Sequence, residues 1–189
     1  MKATKAKPLK RLDAAESDVD GRILGALARY RFLTPDLMML AGVSGHRTHL
    51  GDRLNALERG KLLRRSTPQV NFGRLPSFWW LTPKGAEQAG HELGVLVRAP
   101  SARTVGAHAN RHRQGQVRAA IALDAIAASL GAHVAPLAFD FESKAEMGPD
   151  KRPESLTTLW LDAQSYLKPD FLAGVTLPDG VVRPVVFVV

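Results

Sequence analysis

Three basic side chains, Arg47, His49 and Arg53, recur along a segment whose leucines, Leu50, Leu54 and Leu57, are spaced four and three apart. That leucine spacing is the buried stripe of a helix, so the cations are expected on its other side, with Arg47 and Thr48 at its start. Guanidinium groups presented by one helix suit phosphate oxygens and, through their forked donors, the edge of guanine. Lys61, Arg64 and Arg65 follow shortly after, and Arg74 stands in a loop rich in turn residues. The chemistry on offer is the neutralisation of a polyanion.

Other reactive types are sparse. The chain has no cysteine, which removes disulfides, thiolate nucleophiles, Fe–S clusters and cysteine-based zinc sites. His108 and His112 stand four apart, the spacing of a metal-ligand pair on a helix. No third ligand accompanies them, and Arg111, Arg113 and Arg118 would repel a cation, so a basic solvated or phosphate-touching face is expected. Tyr30 and Tyr166 are the two tyrosines, and a covalent DNA–tyrosine link would need one of them; Tyr30 is expected to pack at a helix end. No glycine-rich phosphate loop or nucleophile elbow is present. Phe78, Trp79 and Trp80 could stack on bases, but alternation along a strand turns Trp79 away from its neighbours. Trp80 is expected in the core and Trp79 at its rim.

The elements that must position these groups follow from periodicity and punctuation. A first helix is expected over Val19–Tyr30, capped by Ser17 or Asp18, with Ile23, Leu24, Leu27 and Ala28 inward. Thr34-Pro35 and Thr82-Pro83 each combine an N-cap with a first-turn proline, opening helices over 35–41 and from 83 through Glu87 and His91. Between them, Gly42 to Gly45 forms a tight turn, Ser44 or Thr48 caps the cationic helix, and Gly60 closes it. Lys61–Arg65 and Ser77–Leu81 then read as two strands around a loop. Three helices, a hairpin and a fourth helix, with the cations on the third helix and the hairpin, make the pattern of a winged helix-turn-helix. A small α+β domain whose charges only solvate it is the plainer alternative.

The second half opens after a linker over 99–106. A helix is expected over Ala107–Leu130, then strands at His133–Phe141, Leu156–Leu161, Pro169–Val175 and Val181–Val189, with a turn at Pro178-Asp179-Gly180. Pro184 marks an edge position or a bulge in the last strand. One helix with three or four strands is an α/β layer domain.

Charge divides the halves. Residues 1–98 carry 17 Lys/Arg and 9 Asp/Glu, a net of +8; residues 99–189 carry 9 and 9, a net of zero. A basic half joined to a neutral one implies a localised polyanion surface, for which double-stranded DNA is the commonest partner. The start, MKATKAKPLKR, reads as a basic flexible arm over 1–17, because no apolar stretch follows it as a secretory signal requires. No run reaches the roughly 20 apolar residues of a membrane span. A cytoplasmic protein with no membrane partner is expected.

The series Leu27…Arg29…Leu33-Thr34, then Arg53-Leu54-Asn55-Ala56-Leu57-Glu58-Arg59-Gly60-Lys61-Leu62, then Trp80-Leu81-Thr82-Pro83-Lys84-Gly85, resembles the replication-relaxation family. These are winged-helix proteins of plasmids and integrative elements, and they include relaxases similar to plasmid mobilisation protein C. The resemblance implies a role in plasmid replication or conjugative mobilisation, with a homodimer or other mobilisation proteins as further partners. It also implies a second domain over 107–189 similar to a restriction-endonuclease-like core. There Lys168-Pro169-Asp170 would supply the first carboxylate for Mg²⁺ or Mn²⁺, making Asp170 the candidate catalytic and metal-ligating residue. An isolated Pro-Asp is also a common way to open a strand, and on that reading Asp170 binds no metal. Asp140 and Glu142 are the acidic helpers on the preceding strand. The second acidic residue and the lysine of the pattern should follow about where the sequence stops, at Val189. The domain is therefore expected to be incomplete or non-catalytic, with no cofactor in this chain. The alternatives are a non-enzymatic transcriptional regulator with a C-terminal dimerisation or sensing domain, and a winged helix that binds protein.

Overall fold

Apolar stripes at helical spacing and two Thr-Pro pairs lay out the first hundred residues. A computed structural model describes residues 14–67, 76–100, 107–135, 137–139, 146–147, 153–154, 157, 159–161 and 165–188. Residues 1–13 of the expected arm, Arg74 with loop 68–75, residues 101–106, and Asp140 and Glu142 lie outside them, as do the side chains of His108 and Tyr166. The fold is α+β, with helices and antiparallel sheets.

Helix α1 (Ala14–Tyr30) begins earlier than expected, within the segment read as an arm. Alanine and glutamate are good helix formers, and nothing in 14–18 breaks the helix. Ile23, Leu24 and Leu27 are fully buried, each contributing about 1.5–3 kcal/mol of apolar burial. The Oγ1 of Thr34 accepts the Leu37 N–H at 3.3 Å and opens α2 (Pro35–Leu40). Helix α3 (Arg47–Arg59) has His46 at its N-cap with no side-chain cap. Ser44 instead shapes the preceding turn, its Oγ accepting the His46 N–H at 3.1 Å, and Thr48 lies within the helix. At the other end Gly60 is right-handed, and the left-handed position falls to Lys61, with φ 61°. The Leu62 N–H then returns to the Leu57 carbonyl at 3.0 Å, closing the helix one residue later than the glycine suggests.

Strands β1 (Leu63–Ser66) and β2 (Phe78–Leu81) pair antiparallel, Arg64 opposite Trp80 and Arg65 opposite Trp79. Leu33 adds a short third segment, exchanging both backbone hydrogen bonds with Trp79 at 3.1 and 2.9 Å. Helix α4 (Pro83–Leu93) starts as its Thr-Pro signal predicts, Thr82 Oγ1 accepting the Gly85 N–H at 3.0 Å. Gly85 is required there: a Cβ would stand 2.0 Å from the Leu62 carbonyl oxygen.

Helix α5 (Ala107–Ser129) turns Val117 and Ala120 into the same core that holds Leu27, Leu37 and Leu54, so one continuous cluster links the two halves. The expected strand over 133–141 is two short ones, β3 (His133–Val134) and β4 (Ala138–Phe139). The two-residue pairs β5 (Glu146–Met147) with β6 (Pro153–Glu154), and β7 (Leu159–Trp160) with β8 (Tyr166–Leu167), follow. Strand β9 (Phe171–Thr176) pairs on one side with β3 and β4 and on the other with β10 (Val182–Phe187), giving the hairpin that Pro178-Asp179-Gly180 predicts. The Gly174 carbonyl bonds to the Ala135 N–H at 2.8 Å, away from β10. Pro184, opposite Gly174, therefore sits at a position whose backbone faces away from β9, and its missing N–H falls on the outer edge of β10.

Candidate nucleic-acid interface

Four buried residues of α3, Leu50, Arg53, Leu54 and Leu57, fix which way the helix faces. The opposite stripe is Thr48, Asp52, Asn55 and Arg59, all exposed, at spacings of four, three and four. Arg47 and Gly51 lie at the edge of that stripe nearest the hairpin. A cleft opens there between α3 and the β1–β2 hairpin, lined by Arg47, Gly51, Asn55, Arg65 and Trp79, with Pro35 at the start of α2. A Cβ on Gly51 would touch nothing within 4 Å, so the helix backbone is open to a close approach.

Both cleft arginines are held by acids that a phosphate could displace. Arg47 Nη1 pairs with the Asp36 carboxylate, and both side chains are more than half exposed. Arg65 Nε lies 3.3 Å from Glu58 Oε2 while its guanidinium sits 5.4 Å from the centroid of the Trp79 ring across the strand pair. Exposed pairs of this kind are worth about 0–1 kcal/mol, so exchanging one carboxylate for a phosphate costs little. Thr67 and Ser77 hydroxyls meet at 2.6 Å where the hairpin loop begins.

Of the residues picked out by sequence, Arg47, Thr48, Lys61, Arg64 and Arg65 are exposed and His49 is half-buried. Arg64 shares a face with Trp80, not with the cleft. Arg53 requires correction: it is 9% exposed, its Nε donating to Asp20 Oδ1 at 2.9 Å and Nη2 to Oδ2 at 2.5 Å. It stands on the leucine stripe, three residues from Leu50 and four from Leu57, and not opposite it. Trp79 is also corrected, being buried in the main core. Trp80 packs separately with Phe32 and Phe78, its ring centroid 6.0 Å from that of Phe32. Both faces of β2 are thus covered. Asn55 and Arg59 are exposed on the same stripe, as their spacing from Thr48 dictates.

In the C-terminal half Asp170 is 8% exposed. Its Oδ1 accepts from Gln116 Nε2 at 2.9 Å and lies 2.7 Å from His112 Nε2. Among the described residues, the two side chains nearest this carboxylate are an amide and an imidazole, which bring no second carboxylate for Mg²⁺ or Mn²⁺. Among the described residues no group of three or more His, Asp or Glu could hold a metal ion.

Tyr30 is likewise committed. Its hydroxyl donates to Asp124 on α5, and Arg29 Nε donates to the same carboxylate at 2.5 Å. Burial, and then the bond to Asp124, push the Tyr30 phenol well above its ordinary range, which keeps it protonated. Arg113, from α5, places its guanidinium 5.1 Å from the Phe32 ring centroid. Among the described residues no helix is long and apolar enough to cross a membrane. No family model, curated protein or solved structure matches the chain.

Proposed function

We propose that the chain binds double-stranded DNA as a winged helix-turn-helix, α3 entering the major groove and the β1–β2 hairpin, with its Leu33 bridge, running as a wing along the phosphates. The observation that carries this reading is the cleft between α3 and the hairpin, with Arg47 and Arg65 on either side of it. The excess of charge in residues 1–98 supports it, since the same half holds both elements. The resemblance to replication-relaxation proteins suggests replication or mobilisation of a mobile element as the setting. The engagement of Asp170 by Gln116 and His112 favours a second reading of the C-terminal half, as the non-enzymatic part of a transcriptional regulator.

Titrating duplex DNA at several salt concentrations tests the first reading. Replacing Arg47 and Arg65 by alanine should lower affinity and flatten the salt dependence by about one unit per lost phosphate contact. A double variant that is folded and keeps the parent's affinity and slope overturns it.

A further inference from the structure

Asp52 is the one acid on the outward stripe of α3. It is exposed at the centre of the outward stripe of α3, between Thr48 and Asn55, with Arg59 beyond it, in the half of the chain that carries all of the net charge. Among the described residues no ion pair engages it. Beside phosphates alone, a carboxylate at this position would be repelled and would weaken binding to every sequence equally.

We infer that α3 reads base edges through Asp52 and Asn55, so that the protein selects a duplex sequence; this rests on the DNA-binding reading above. A carboxylate accepts and cannot donate. In the major groove it fits the exocyclic amine of cytosine, whereas adenine presents its amine beside the N7 acceptor, which repels an anion. The Asn55 side chain carries an amino donor group beside a carbonyl acceptor, the complement of adenine N7 and N6. The two residues are three apart, about 4.5 Å along the helix axis, against a base-pair step of about 3.4 Å. They therefore address neighbouring base pairs. Gly51, on the same turn, adds no side chain to hold the helix away from the groove floor. Arg47, at the edge of the stripe, and Arg65, across the cleft on β1, are left to grip the backbone.

The test is selection of binding sites from a random duplex library with the parent chain, followed by titration of the selected duplex and a scrambled one with Asp52→Ala and Asn55→Ala. Both positions are exposed, so both variants should fold. A cytosine and an adenine one or two steps apart are expected in the selected sequence. Each variant should cut the ratio of selected to scrambled affinity by about ten- to a hundredfold, the discrimination carried by one base contact. The ratio cancels any general electrostatic change. If Asp52→Ala instead strengthens binding to both duplexes alike and leaves the ratio intact, base reading by Asp52 is overturned while DNA binding stands. If the parent binds no duplex, the underlying reading fails and this inference with it.

Discussion

Arg53 and Asp20 meet inside the protein, 33 residues apart, through two parallel hydrogen bonds between guanidinium and carboxylate. The pair ties α3 to α1 and has both side chains nearly out of solvent. Arg53 thus belongs to the packing of α3 on α1 and not to the exposed face of α3. Removing one partner leaves the other charged and buried, which typically costs about 3–5 kcal/mol, whereas replacing both by apolar residues of similar size costs little.

Arg53→Ala should therefore lower the free energy of urea unfolding by about that amount, and Asp20→Leu with Arg53→Met should restore most of it. At temperatures where the variants are folded, DNA affinity should stay near the parent value. An Arg53→Ala protein as stable as the parent but weaker on DNA would return Arg53 to the binding surface.

The Asp124 carboxylate gathers Arg29 and Tyr30 from the end of α1, so one acid on α5 ties the C-terminal half to α1. Because the folded phenol is held above its ordinary value, folding favours the protonated form. Stability from this group is complete below the unfolded phenol pKa of about 10 and declines as pH rises above it, where the unfolded chain releases a proton that the folded chain keeps. Tyr30→Phe should cost about 1.5–3 kcal/mol at neutral pH, the worth of a bond to a charged acceptor, and should remove this alkaline decline. Melting temperatures from pH 7 to 11 for both proteins check it, and an identical decline in each would assign the effect elsewhere.

What the sequence disclosed follows from how local each signal is. Thr34-Pro35 and Thr82-Pro83 announce their helices because cap and first-turn proline act within one turn, and both threonines cap as read. The apolar run Phe171 to Val175 and the turn at Pro178-Asp179-Gly180 likewise give the β9–β10 hairpin. Arg53 is polar in type but stands on the core stripe by position. Asp20 carries the matching signal, standing three, four and seven residues before Ile23, Leu24 and Leu27, so two opposite charges on two core stripes could have been paired. The link from Asp124 to Tyr30 spans 94 residues and depends on how α5 docks, which no local pattern encodes. The strand expected over 133–141 carries Pro136, which has no N–H to give a ladder, and the structure has two short strands on either side of it.

Asp170 supports the last expectation, that residues 1–189 bind duplex DNA but leave supercoiled plasmid intact in Mg²⁺ or Mn²⁺. Phosphodiester hydrolysis through a divalent ion needs carboxylates that can turn their oxygens to the metal and its waters. The Asp170 side chain is nearly buried, and one oxygen is taken by Gln116 Nε2 and His112 Nε2, which fasten the start of β9 to α5. Its neighbourhood is that of a structural anion. Asp170→Asn would set an amide beside the Gln116 amide, weakening an acceptor that two donors use. We expect a loss of about 1–3 kcal/mol in unfolding free energy, with duplex affinity unchanged. Millimolar Mg²⁺ should not raise the melting temperature, since an ion that binds the folded chain would stabilise it by mass action. Reproducible nicking that disappears in Asp170→Ala, together with a Mg²⁺-dependent rise in melting temperature, would show that the carboxylate leaves these partners for a metal and that the C-terminal half is an enzyme.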